Sequence, residues 1–281
     1  MSGQASAATS LPWVIIGYGR VGQSLNLLAD RLNADITATW NRTEAAVDNA
    51  AVASPNPRHG ALPDALDDLF DAPRLIWLTV VDDAIVDVFD AVVDSIADGS
   101  IIVHTSGSLP STILSERTDL DVASLHPLQA ISDPRAALQR FPSSFWSIEG
   151  DDTAVEYLTE LVEPAGIKPV RINPETKLLY HASAVTAANL LVSLLDGAIE
   201  MTGHAGIEPP QARQMLVNLA ESSLKNLADQ PPAEALTGPA ARGDTKIIER
   251  HRQALAELDD PTLLKIYDLL TDRALAGLGE D

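Results

Sequence analysis

Six residues near the start of the chain, Gly17-Tyr18-Gly19-Arg20-Val21-Gly22, constrain the fold more than any other stretch. They directly follow a short apolar run, Trp13-Val14-Ile15-Ile16, and open a helical pattern from Arg20 to about Leu32. In that setting the glycines serve three separate purposes. One permits a tight turn, one lets backbone approach a pyrophosphate, and one lets helix pack closely on strand. The helix N-terminus adds unpaired N–H groups and a partial positive charge. The segment therefore predicts a dinucleotide-binding turn formed by Gly17, Tyr18, Gly19, Arg20, Val21 and Gly22.

The rest of the N-terminal half agrees. Ile36 to Trp40 is rich in β-formers and stops at Asn41-Arg42, while residues 54–63, with three prolines and a glycine, read as loop. Leu75 to Val80 and Ile101 to His104 are nearly continuous apolar runs, as expected of parallel strands covered on both faces. Helical patterns lie between them, around 64–71 and 83–97. This alternation predicts a doubly wound parallel α/β sheet, extended by runs at 122–125, 145–148 and 169–172.

The pattern changes at Asn173, an N-cap candidate followed by Pro174 and Glu175. From there no breaker intervenes before Gly203 and Gly206, so a helix of ~30 residues is expected. Further helices are expected at about 210–229, 244–257 and 261–276. The reading is thus an N-terminal Rossmann domain, residues 1–172, followed by an all-α domain, residues 173–281. The uncharged stretch from Ala182 to Leu195 reads as a buried helix, too short to span a bilayer.

Composition excludes several function classes. The 281 residues contain no cysteine, which removes disulfides, thiolate metal sites and cysteine nucleophiles and fits a reducing compartment; no metal site is expected. Nineteen basic residues against forty acidic ones leave a net charge of −21, which disfavours nucleic acid and anionic membranes as partners. The first ten residues lack a basic segment followed by an apolar one, so no signal peptide is visible and a cytoplasmic location is expected. A phosphate-bearing ligand would need local cations to offset the global charge. Asn41-Arg42-Thr43, where an acidic residue would hold the adenine ribose of NAD, supplies one and favours NADP over NAD.

In an open parallel sheet, ligands sit beyond the carboxyl ends of the strands. Three such ends carry polar residues: Thr79-Val80 before Asp82, His104-Thr105-Ser106-Gly107, and His126-Pro127-Leu128-Gln129. Thr79 and Val80 suit the cofactor's edge, and Ser106, His126 and Gln129 suit substrate contacts. On the long helix Lys177 and His181 lie four residues apart on one face, with Asn189 eight further on. A lysine there can protonate a carbonyl or imine as hydride arrives; His181 can serve as relay, acid or anchor. Arg242, in a loop shaped by Gly238, Pro239 and Gly243, is a candidate anchor for a substrate carboxylate. Asp244 reads as a helix cap.

These segments together resemble a bacterial family of Rossmann-like proteins with the domain of unknown function DUF2520. It is related to the 6-phosphogluconate dehydrogenase-like superfamily of β-hydroxyacid dehydrogenases, ketopantoate reductases and pyrroline-5-carboxylate reductases. The carriers are the loop at 17–22, Val103 to Gly107, His126 to Gln129, Lys177 to Asn189, and Ala235 to Pro239 with Arg242-Gly243-Asp244. The resemblance implies NADP-dependent hydride transfer to or from a small carbonyl or imine substrate, ketoacids included, and a helical domain that dimerises. Lys177 matches the lysine of the β-hydroxyacid dehydrogenases, but His181 stands where they carry asparagine, and His104-Thr105-Ser106-Gly107 replaces their acidic-x-Ser-Thr segment. The alternative reading is a non-catalytic protein that senses NADP(H) redox state.

Overall fold

The computed structural model describes residues 10–114 and 117–277, so the N-terminal segment read for a signal peptide lies almost wholly outside the described residues. Eight strands form one sheet: β1 (Trp13–Ile16), β2 (Ile36–Asn41), β3 (Pro57–His59), β4 (Leu75–Leu78), β5 (Ile101–His104), β6 (Asp121–Pro127), β7 (Phe145–Gly150) and β8 (Lys168–Arg171). Their order is β3-β2-β1-β4-β5-β6-β7-β8. The first six strands reproduce the doubly wound 3-2-1-4-5-6 arrangement, whose order reverses at β1. Helices α1 (Arg20–Leu32), α2 (Glu44–Asp48), α3 (Ile85–Val92), α4 (Pro134–Arg140) and α5 (Asp152–Val162) connect them.

Strands β1, β4 and β5 are buried at every position. One core layer holds Trp13, Ile15, Trp77 and Val103 against Leu25 and Leu28 of α1. The other holds Val14, Ile16, Ile76 and Ile102 against Phe89 of α3. Continuous apolar strands fold this way because both faces need covering.

Two expectations are corrected here. Residues 57–59, read as loop, form a short strand at the sheet edge, where Pro57 leaves no ladder donor missing; Asn41 pairs with His59. The sheet is also not parallel throughout, since β6 and β7 run antiparallel while β7 and β8 are parallel. The chain leaves β6 at its carboxyl end, packs α4 on α1, and re-enters the sheet from that same end. No crossover is made, so β7 must point back.

After β8, Asn173 caps a short 3-10 turn by accepting from the Glu175 amide at 2.9 Å. The helix α6 (Lys177–His204) continues from it. The chain divides into two compact units between Ala184 and Val185, inside α6, so the first turns of this helix belong with the sheet. The second unit comprises the rest of α6 with α7 (Pro209–Asp229), α8 (Pro232–Ala235), α9 (Thr245–Ala256) and α10 (Pro261–Gly277). Asp244 caps α9 through the Ile247 amide at 3.2 Å, and Asp260 accepts from the Thr262 amide at 2.7 Å.

Helix α6 is not the buried helix expected. Leu178, Leu179 and Val192 are 68, 73 and 68 % exposed, and the segment Pro174–His204 is long and apolar enough to cross a membrane by length and composition alone. Among the described residues of the second unit the buried apolar side chains are Ala212, Ile248, Leu255 and Leu263. That is a small core for five helical segments.

Candidate functional site

The glycine turn is built against Thr79. Gly17 has φ +103°, a left-handed conformation that glycine takes without steric cost, and a Cβ there would lie 2.7 Å from the Thr79 carbonyl carbon and the Val80 nitrogen. A Cβ on Gly22 would overlap the Gly17 carbonyl oxygen. The Thr79 hydroxyl donates to that same carbonyl, so Thr79 clamps the turn, with the Val80 backbone nitrogen against Gly17. Gly19 differs: a Cβ there meets nothing within 4 Å. It is the N-cap of α1 and supplies no side-chain acceptor, so no capping side chain takes up the first-turn N–H groups. The residues therefore fit a dinucleotide diphosphate.

Behind the turn, Tyr18 is buried, and its hydroxyl donates to the Ala53 carbonyl at 3.1 Å. Asn26 donates to the same carbonyl at 3.0 Å and to the Tyr18 oxygen. Burial pushes the Tyr18 phenol up to about 12. Tyr18 thus contributes its backbone to the turn and its ring to the support. Val21 is half-buried on α1, and Arg20 is exposed, its guanidinium reaching the Ile131 carbonyl at 3.5 Å.

Asn41 ends β2, and its side-chain oxygen accepts from the Arg42 amide at 3.3 Å. Arg42 and Thr43 are exposed, and among the described residues no acidic side chain pairs with the Arg42 guanidinium. His59 lies beside Asn41 in register, a neighbour that sequence reasoning missed by reading its segment as loop.

A second group of polar residues lines the ends of β4, β5 and β6. Asp82, just past β4, accepts from the hydroxyls of Ser106 at 2.8 Å and Ser108 at 2.7 Å. The Ser106 oxygen also accepts from the amides of Ser108 and Leu109. Gly107 sits between two imidazoles, since a Cβ there would come 2.8 Å from His126 Nε2 and would also collide with His181 Nδ1. His126 and His181 meet edge-on with ring centroids 5.9 Å apart, and His126 Nδ1 is 3.2 Å from the Tyr180 hydroxyl. Burial, then the nearby His181 and Lys177, lower the His126 imidazole to about 4, so it is neutral near pH 7.

Register places His104, Ser124 and Glu149 side by side across β5, β6 and β7. His104 is fully buried, accepts from the Ser106 amide at 3.2 Å, and is lowered to about 4, chiefly by burial and then by Lys177. Lys177 is only 1 % exposed; its amine donates to the Ser124 hydroxyl and forms an ion pair with Glu149 at 2.8 Å. Burial lowers the Lys177 amine, and the Glu149 carboxylate opposes that shift. The structure thus gives the lysine, expected as a proton donor, a buried partner. Glu149 and Tyr180 were both missed. Antiparallel β7 brings Glu149 to Ser124, and no local motif announces that pairing.

The remaining expected residues are less gathered. Gln129 is half-buried, and its amide donates to the Ala137 carbonyl of α4 at 3.3 Å. Asn189 and Arg242 are exposed and belong to the second unit; the Arg242 amide donates to the Gly238 carbonyl at 3.3 Å. A cavity of about 400 Å³ lies within that unit, lined by Leu194, Met201, Leu263, Ile266 and Tyr267. It is apolar, with the His251–Tyr267 hydrogen bond of 2.8 Å at its wall. Its lining lacks the titratable cluster that the sheet ends provide. Among the described residues no group of three or more potential ligands is placed to hold a metal ion.

A doubly wound sheet with a glycine turn at β1 and polar strand ends defines a Rossmann-like protein. Residues 4–128 match the Rossmann-like domain family, and residues 144–274 match the domain of unknown function DUF2520. The chain is therefore a Rossmann-like domain followed by a DUF2520 domain, as the resemblance of its motifs implied. No curated protein matches its sequence.

Solved structures of similar fold include a Bacteroides fragilis protein described as a candidate NADP oxidoreductase, with 21 % identity and a TM-score of 0.72 over 95 % of this chain and 98 % of that one. A Thermotoga maritima protein reaches 22 % and 0.73 over the same shares. A Plasmodium falciparum pyrroline carboxylate reductase with NADP bound reaches 11 % and 0.60, over 96 % of this chain and all of that one. At these identities the likeness concerns the fold.

Proposed function

We propose that this protein is an NADP-dependent oxidoreductase acting on a small carbonyl or imine compound, ketoacids included. The observation that carries the reading is the glycine turn. Gly17 and Gly22 are packed against protein, while Gly19, which nothing in the protein fills, opens the α1 N-terminus to a diphosphate. Arg42 supports NADP over NAD, because an unpaired guanidinium suits a 2′-phosphate where a carboxylate would repel it. Solved structures of the same fold point the same way, among them an Aspergillus terreus reductive aminase described with NADPH; a ketol-acid reductoisomerase described as NADH-preferring indicates that the fold accepts either coenzyme.

When bound, the nicotinamide would supply or accept the hydride. The chain's own residues supply the proton chemistry. His181, half-exposed and packed on neutral His126, would deliver the proton, with the Tyr180 hydroxyl on His126 Nδ1. Ser106 is buried, its hydroxyl donated to Asp82 and its oxygen accepting two amides, so it holds the loop, while half-buried Ser108, which also donates to Asp82, keeps acceptor capacity for a substrate donor. Lys177 contributes a buried positive charge from below rather than direct contact. A redox sensor would need no such cluster.

We further propose a homodimer in the cytoplasm. The exposed leucines of α6 and the small core of the helical unit leave apolar surface that a second copy would cover. Lipid is a poorer cover, since Asp196 and Glu200 lie within the apolar helix and would enter the hydrocarbon. The test is an NADPH-oxidation screen over 2-ketoacids, 3-ketoacids and cyclic imines. Turnover of any one, abolished by His181→Asn with cofactor affinity retained, supports the reading. Turnover by that variant at the wild-type rate would refute the His181 assignment.

A further inference from the structure

Glu149 is 2 % exposed, and it holds three donors from two directions. Its Oε1 accepts from the Ser111 amide at 2.9 Å and from Lys177 Nζ at 2.8 Å, and its Oε2 accepts from the Ser111 hydroxyl at 2.7 Å. Lys177 passes the connection on: its amine donates to the Ser124 hydroxyl, which donates to the Ser106 carbonyl at 3.2 Å. One carboxylate thus grips both ends of the segment from Ser106 to Ser111, directly at the far end and through Lys177 and Ser124 at the near end. This segment carries the two serines bound to Asp82 and the glycine wedged between His126 and His181.

We propose that Glu149 is a positioning residue that fixes the 106–111 loop for substrate, acting through Ser111 on one side and through Lys177 and Ser124 on the other. The proposal rests on the reading that this loop faces substrate, but its mechanical part does not. An ion pair this deeply buried is a costly way to stabilise a fold, because an apolar pair of similar volume often does as well. Its geometric product is a loop held at its far end by charge-assisted hydrogen bonds to Glu149, the stronger kind, and at its near end by a Ser124 hydroxyl that Lys177 fixes in turn.

The two arms make different forecasts, which hydrogen–deuterium exchange can separate without a known substrate. Ser124→Ala cuts the Lys177 arm, so amides 106–109 should exchange faster by about tenfold or more while 111–114 change little. Ser111→Ala cuts part of the other arm, so the acceleration should fall on 111–114. Glu149→Gln should loosen both ends, with NADPH affinity unchanged. Should Glu149→Gln fail to fold, the two serine variants still decide the matter. Unaltered exchange across 106–114 in both serine variants overturns the proposal. If instead wild-type protein binds no dinucleotide while the arms respond as stated, the positioning role stands and the oxidoreductase reading falls.

Discussion

Replacing Lys177 by Met removes one half of a buried ion pair and leaves the other half in place. Glu149 would retain the Ser111 amide and hydroxyl but lose its counter-charge at 2.8 Å, at a position only 2 % exposed. At a separation near 4 Å and an effective dielectric near 20, two unit charges attract by about 4 kcal/mol. Measured losses on breaking buried pairs fall at about 3–5 kcal/mol, since the remaining charge is stranded. Lys177→Met should therefore lower the unfolding free energy by about 3–5 kcal/mol in urea titrations at pH 7. The double variant Lys177→Met/Glu149→Leu should recover most of this, leaving a deficit of roughly 1–2 kcal/mol from the lost bonds to Ser111 and Ser124. A single-variant loss below about 1 kcal/mol, typical of an exposed pair, would refute the burial argument. So would a double variant less stable than the single one.

Arg42→Ala should weaken NADPH binding by about 10–100-fold, the worth of one charge-assisted contact, and leave NADH nearly unchanged; equal losses in fluorescence titrations would remove Arg42 from the phosphate site. Stability should fall as pH drops from about 6.5 toward 4, because His104 and His126 are held near 4 in the folded chain and titrate near 6.5 in the unfolded one. In that window the unfolded state binds more protons, so the contribution is complete above 6.5 and lost on acidification. It amounts to about 3 kcal/mol for buried His104 and less for half-buried His126. Urea midpoints that stay level between pH 7 and 4.5 would contradict it. Leu190→Glu, at a 53 % exposed position of α6, should convert a dimer to monomer in sedimentation runs; an unchanged mass would show that this face covers nothing.

Much of the fold was legible because it rests on local patterns. Strand β1, the turn and α1 follow from an apolar run, three glycines and a periodic helix, and the caps at Asn173 and Asp244 follow from single side chains next to helix starts. What was not legible depends on pairing at a distance. The reversal of β7 is decided by where α4 packs, and it alone brings Glu149 beside Ser124. Lys177 was legible as a proton donor but not as half of an ion pair, because its partner sits 28 residues away on β7. The exposure of α6 was misread for a related reason: an apolar helix has the same sequence whether its own domain or another copy covers it.

Open space in front of Gly19 is where the diphosphate is proposed to sit, and every other role assigned to the site follows from that. The direct measurement is calorimetric titration of NADPH into wild-type protein and into Gly19→Val, alongside their melting temperatures. A Cβ at Gly19 meets no protein atom within 4 Å, so the variant should melt within a few degrees of wild type, the cost of valine at an N-cap, while it binds at least about tenfold more weakly. Equal affinity in the two proteins, or no association of wild type with either coenzyme at millimolar concentration, would contradict a diphosphate site at this turn.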